Sequence, residues 1–361
     1  MTDCGEEIAC TVAAAAAQSQ PLYISGGGSK TQLLGRACEA KVLDVGGHTG
    51  IIDYQPSELV LTARAGTTVA AIEAVLDREQ QSLPFEPPLL DGQATLGGTI
   101  ACNLSGPARP WTGSGRDLVL GVRLIDGLGQ RLNFGGKVMK NVAGFDVSRL
   151  QAGAHGTLGV LSEISLKVMP RAEHSLTLLY EMGADEAIEH MNRRAGEAAP
   201  LSGACWLDGK LYLRLSGTST AVDHKASVWG GERIESGGAF WRELREMTLP
   251  FFDGPDPLWR LSLKATARAG KHPGLIDWGG AQRWLRGQYE LETLQRDVAG
   301  AGGSVTLVRG GNPGEELRAR PNHVMVRLQQ RLKNTFDPKG ILNPCLLYTS
   351  QSPRDGETHR E

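Results

Sequence analysis

Two widely separated glycine-studded stretches constrain this chain most: Tyr23-Ile24-Ser25-Gly26-Gly27-Gly28-Ser29-Lys30 and Ala94-Thr95-Leu96-Gly97-Gly98-Thr99-Ile100-Ala101-Cys102-Asn103-Leu104-Ser105-Gly106. Three glycines directly after a short apolar strand let the backbone turn tightly and present bare N–H groups to an anion, because no Cβ intervenes. Amides from Gly26 to Lys30 can hold a diphosphate, and the Ser29 hydroxyl adds a donor. In the second stretch, which runs as a loop from Thr95 to Gly106, Gly97 and Gly98 permit close approach while Asn103 and Ser105 supply uncharged donors. The plainer readings are a solvent-facing glycine turn for the first and a buried strand and turn whose Asn103 satisfies neighbouring backbone for the second.

The common nucleotide loops do not fit. A dinucleotide fingerprint needs Gly-x-Gly-x-x-Gly, and after Gly26 and Gly28 the third position holds Thr31. A P-loop needs a glycine directly before its Lys-Ser/Thr pair, but Lys30 follows Ser29. A kinase or ATPase is thereby disfavoured.

At 361 residues the chain is long enough for two domains. Its 47 glycines exceed the average of about 7 % and point to loop-rich turns. A net charge of -2 gives no electrostatic reason to expect nucleic acid or an anionic membrane surface. No run approaches the ~20 apolar residues of a membrane span, and the alanines at 13–17 follow Asp3, Glu6 and Glu7 rather than a basic leader, so the chain reads as cytoplasmic. The six cysteines, at 4, 10, 38, 102, 205 and 345, include no Cys-x-x-Cys and meet no histidine at ligand spacing. Reduced thiols are expected, and no metal; any further electron relay would then sit on another polypeptide.

Periodicity predicts a helix over 6–18, a strand from Leu22 to Ile24, a strand from Glu58 to Arg64 and a helix from Thr68 to Glu79. A strand from Leu118 to Ile125 turns at Asp126-Gly127 into Gln130 to Phe134, and Val160 to Met169 alternates up to Pro170. Beyond Pro170 a strand over Leu176 to Tyr180, helices near 184–195 and 221–228 and a hairpin at Asp208-Gly209 suggest a smaller antiparallel sheet backed by helices. A last helix, Asn322 to Phe336, stops before Asp337-Pro338. The expected division is 1–170, 171–345 and a disordered tail, 346–361.

Taken with five further strings, the two stretches resemble the FAD-binding domain of the vanillyl-alcohol oxidase and p-cresol methylhydroxylase (PCMH) superfamily, and within it the FAD-binding subunits of bacterial glycolate oxidases. The strings are Val60 to Thr67, Leu83 to Pro88, Arg109 to Asp117, Val138 to Asp146 and His155 to Glu163, with a weaker echo in Phe336-Asp337-Pro338-Lys339-Gly340-Ile341-Leu342-Asn343-Pro344. The resemblance implies an α+β fold: a two-subdomain PCMH-type FAD-binding domain, then a cap of antiparallel sheet and helices. It implies FAD held by Gly26, Gly27, Gly28, Ser29, Lys30, Thr95, Gly97, Gly98, Asn103, Ser105, Gly156 and Val160. Noncovalent FAD is expected, since Ser29 and Lys30 stand where some members attach the flavin through a histidine; His48 reads as a turn residue, and His155 more simply as structural. Arg116 beside Asp117 reads as an ion pair fixing its loop, and Lys140 as a surface charge.

The resemblance also implies oxidation of glycolate, a small 2-hydroxy acid, to glyoxylate, with a second flavin subunit and an iron-sulfur subunit as partners that receive electrons and tether the chain peripherally at the inner membrane. Such chemistry needs a base for the hydroxyl proton and an arginine for the carboxylate. The candidates are Arg260 and Trp278, each equally well read as a strand-edge arginine and a packed tryptophan. Paired histidines and an acid expected around a substrate are not evident after residue 170. The alternative is therefore a non-catalytic flavoprotein scaffold that stabilises the catalytic flavin subunit.

Overall fold

The computed structural model describes residues 2–31, 40–136, 146–271, 274–311 and 321–346. Cys38, Lys140, Asn141, Gly144 and the tail after residue 346 lie outside the described residues. In the first half, helix α1 (Gly5–Ala17) precedes β1 (Leu22–Ser25) and β2 (Lys41–Asp44), which pair in parallel. The strands β3 (Ile51–Gln55), β4 (Val60–Arg64), β5 (Gln81–Ser82), β6 (Val119–Ile125), β7 (Arg131–Gly135), β8 (Val160–Lys167) and β9 (Met169–Pro170) follow. Five of them form an antiparallel sheet in the order β3-β4-β8-β6-β7, and β5 pairs with β9.

The sheet packs its apolar face on α2 (Val69–Arg78) and α3 (Leu96–Cys102). Spacing at three and four puts Val69, Ile72 and Leu76 of α2 on one fully buried stripe, and Thr68 caps the helix by accepting from the Ala71 amide at 3.2 Å. Each such side chain stabilises the fold by about 1.5–3 kcal/mol relative to exposure. The β6–β7 hairpin turns where read, with Asp126 Oδ1 accepting from Leu128 and Gln130. A Cβ on Gly127 would fall 2.3 Å from Asp337 Oδ1, so this turn must be bare to admit the chain's far end.

The second stretch is not the loop expected of it. Leu96–Cys102 is helical, capped by the Thr95 hydroxyl and stopped by Asn103 in a left-handed conformation at φ 50°. Two glycines make it a poor helix by propensity; burial of Leu96 and Ile100 holds it. The expected strand from Glu58 begins only at Val60, since Pro56–Glu58 forms a 3-10 turn and Leu59 is left-handed.

In the second half, β10 (His174–Glu181), β11 (Leu201–Leu207), β12 (Lys210–Gly217), β13 (Glu232–Ile234), β14 (Leu258–Ser262), β15 (Leu275–Asp277), β16 (Gln282–Arg286) and β17 (Ser304–Arg309) make one antiparallel sheet, ordered β13-β10-β12-β11-β15-β16-β14-β17. The sheet expected to be the smaller thus has eight strands against five. The additions, β14 to β17, have short runs broken by glycine and proline that carry little periodicity. Helices α4 (Ala184–Ala195) and α5 (Ser219–Trp229) cover one apolar core, and α6 (Gly237–Glu246) and α7 (Leu291–Ala299) border two more. The β11–β12 turn uses Asp208 at φ 48° and Gly209 at φ 80°, the paired positive angles that suit a two-residue hairpin.

The last helix, α8 (His323–Phe336), returns to the first half. Phe336 packs edge-on against Phe134 of β7, and Leu342 forms a parallel bridge with Leu22 of β1. Among the described residues, no helix is long and apolar enough to cross a membrane.

Candidate functional site: an anion-accepting cleft

The end of β1 and the start of α3 meet. A Cβ on Gly26 would lie 2.6 Å from Thr95 Oγ1, one on Gly27 1.9 Å from the Gln93 carbonyl oxygen, and one on Gly97 2.7 Å from the Ala65 methyl. These glycines are required by contact between the two segments. Beside that contact opens a cleft of about 820 Å³ including its mouth, lined by Gly26, Gly27, Gly28, Ser29, Lys30, Thr95, Gly97, Gly98 and Gly156.

The polar groups of this cleft are unevenly used. At the start of α3 the Gly97 amide donates to Ala65 O at 2.7 Å and the Gly98 amide to Thr95 Oγ1 at 3.3 Å, so neither is free for a ligand. From Gly26 to Lys30, by contrast, the amides donate to no backbone oxygen among the described residues. Lys30 has no carboxylate partner there either, and burial lowers its pKa, with Cys102 opposing. Burial pushes the Cys102 thiol up to about 11, so it lines the cleft as a neutral group. Among the described residues no aspartate or glutamate lines the cleft, while Val45, Ala65 and Leu161 make its apolar wall. Adjacent unused amides, one desolvated cation and a Cβ-free approach fit a diphosphate, with the apolar wall suited to a ring system.

Three residues expected at this site are elsewhere. Asn103 Oδ1 accepts from the Arg116 amide at 3.1 Å, Ser105 Oγ accepts weakly from Gly115 N at 3.4 Å, and Val160 is packed in the core with Leu22 and Ile125. Conversely Tyr23, Cys102, His155 and Asn343 line the cleft without having been singled out for it. His155 and Gly156 are consecutive left-handed residues, at φ 52° and 69°, which a His-Gly pair before a strand signals. His48 is buried, accepting from Cys4 N and bonded to Ser162 Oγ, and burial lowers its pKa. The expected ion pair of Arg116 with Asp117 is absent: Asp117 instead accepts from the Ser114 amide and hydroxyl, both at 2.8 Å, in a capping box.

Neither Arg260 nor Trp278 reaches the cleft. Arg260 sits on β14 between Trp284 and Thr306 of its neighbours. Trp278 lies in the seam between the halves, donating to Gly106 O at 3.0 Å beneath the Arg109 guanidinium, 4.3 Å from its ring. Along the same seam Arg214 pairs with Glu86 at 2.8 Å, and Glu246 accepts from the Leu89 and Leu90 amides.

This fold and cleft define an FAD-binding protein of the PCMH type. Residues 3–135 match the FAD binding domain family. An alkyldihydroxyacetonephosphate synthase shares the fold at a TM-score of 0.64 and 18 % identity, over 94 % of this chain and 74 % of that one. The glycolate oxidase subunit GlcE of Escherichia coli (strain K12) is 46 % identical over 91 % of this chain and 93 % of its own, and the chain belongs to the family of that subunit. The glycolate oxidase subunit GlcD of Bacillus subtilis (strain 168) is 34 % identical over 42 % of this chain and 33 % of its own.

Proposed function

We propose that this chain is the noncovalent FAD-binding subunit of a complex that oxidises glycolate, or a similar small 2-hydroxy acid, to the 2-oxo acid. The supporting observation is the meeting of the two glycine segments at one cleft, with the Gly26 to Lys30 amides unused and Lys30 unpartnered among the described residues. Gly26, Gly27, Gly28, Ser29 and Lys30 would hold the diphosphate, with Thr95, Gly97, Gly98 and Gly156 shaping the walls. When bound, FAD supplies a two-electron acceptor for the alcohol carbon. The chain's own part is to orient that acceptor, neutralise the diphosphate charge and exclude water with Val45, Ala65 and Leu161. Electrons pass to an iron-sulfur partner beside a second flavin subunit, and that assembly brings the chain to the inner membrane surface. The division into a flavin domain, 1–170, and a cap, 171–345, belongs to the same reading; limited proteolysis releasing two fragments near Pro170 tests it.

A second reading, a scaffold that keeps FAD without turning over, is favoured by one observation: Arg260 and Trp278 stand outside the cleft, and the seam arginine Arg109 is stacked on Trp278. The purified chain distinguishes them. A flavin absorbance spectrum that bleaches on anaerobic addition of glycolate supports catalysis, while bound but unresponsive FAD supports the scaffold. A colourless protein that takes up no FAD overturns both.

A further inference from the structure

The cleft has a third wall, from the end of the chain. Asn343, 4 % exposed, accepts from the Ile24 amide through Oδ1 at 2.8 Å and donates through Nδ2 to His155 O at 2.7 Å. One side-chain amide thus ties the end of β1, where the glycine cradle begins, to the His155-Gly156 turn across the cleft. Both Asn343 and Leu346 line the cleft.

Asn343 is itself held by a buried ion pair. Lys333 Nζ reaches Asp337 Oδ2 at 2.6 Å, Thr157 O at 2.8 Å and Leu342 O at 2.7 Å, so its ammonium has an acceptor for each proton. Asp337 in turn accepts from the Ile341 and Leu342 amides at 3.1 and 2.8 Å. The ammonium therefore joins the 155–159 turn to the residue before Asn343, and the same turn is gripped twice. Burial holds the Lys333 pKa below its ordinary value, with Asp337 opposing. None of this lies within residues 3–135.

We infer that Asn343 is a positioning residue of the FAD site, setting the distance between the glycine cradle and the His155-Gly156 turn. Two hydrogen bonds of opposite sense from one rigid amide fix that distance; no aliphatic side chain of similar size does so. Cofactor retention then depends on this one side-chain amide as well as on the glycine loops. The inference rests on the FAD reading above.

The test compares wild-type apoprotein with Asn343→Ala and Asn343→Asp. FAD dissociation constants are read by flavin fluorescence, and melting temperatures are measured with and without FAD. Wild type that binds no FAD removes the functional reading itself, and the inference with it. Where wild type binds, Asn343→Ala is expected to weaken FAD at least tenfold and to abolish most of the FAD-induced rise in melting temperature, with the apoprotein melting close to wild type. Asn343→Asp keeps the acceptor for Ile24 but faces His155 O with a second oxygen, and weakening of the same order is expected. It decides the matter alone if the alanine variant does not fold. Wild-type affinity in a folded variant, or a fall in apoprotein melting with the FAD-induced rise intact, overturns the inference.

Discussion

The cleft and the seam both carry polar groups, both are glycine-bordered and both are built where two parts of the fold meet, yet they use their polar groups in opposite ways. In the seam the Glu86 carboxylate takes the Arg214 guanidinium, Glu246 takes two amides, and Trp278 gives its N–H to Gly106 O. Among the described residues the cleft leaves its amides from Gly26 to Lys30 without a backbone acceptor and Lys30 without an acid. A surface that only joins two bodies gains by satisfying every group it buries. One prepared for a charged ligand keeps donors waiting, at some cost to the empty fold. The difference identifies a receiving site more sharply than glycine content, which the two share.

The comparison can be broken most decisively at Gly27. In Gly27→Val the branched Cβ collides with Gln93 O, and the loop must move. FAD uptake is expected to be lost and the apoprotein to melt below wild type, because the colliding partner is backbone and cannot swing aside; flavin absorbance after gel filtration reads the first and circular dichroism the second. The reverse experiment is Arg214→Met, which leaves Glu86 half-buried without its partner and strips the bonds to Ser202. A loss of about 3 kcal/mol in denaturant unfolding is expected, with FAD affinity unchanged per folded molecule.

Asp277 sharpens the comparison through pH. It is 2 % exposed with Oδ1 unpartnered among the described residues, and burial raises its pKa from 3.8 to about 7. Because the folded form holds this proton more tightly than the unfolded chain, the contribution to stability is full below about pH 4 and is lost as pH rises through 7. Asp277→Asn is expected to flatten that decline, gaining on the order of 2 kcal/mol over wild type at pH 8, as melting curves between pH 5 and 8 would show. The smallest effect is Lys30→Gln: one partly screened charge on the diphosphate is worth about 1 kcal/mol, a fall of roughly fivefold in FAD affinity that grows at low ionic strength.

Legibility followed locality. The Gly26 to Lys30 turn, the α2 stripe and the Asp126-Gly127 and Asp208-Gly209 hairpins are written in neighbouring residues, and the structure has them where periodicity and turn chemistry put them. The helix at Leu96–Cys102 was hidden because two glycines mask its propensity and only contact with the sheet reveals it. Asn103 is the reverse case: its donor and acceptor suit a ligand equally well, and the left-handed cap that occupies it depends on where α3 stops. Asn343 could not be assigned from spacing, since its partners are Ile24 and His155, far away in sequence. The strands β15 and β16 lack alternation because they are buried on both faces.

The bond between Ile24 and Asn343 spans 319 residues. During synthesis at roughly 5–20 residues per second, the first strand therefore waits on the order of 15–60 s for its last neighbour. Through that interval the glycine turns stand without the Asn343 amide, so the brace on the first strand is made only after every strand of the eight-stranded sheet has left the ribosome.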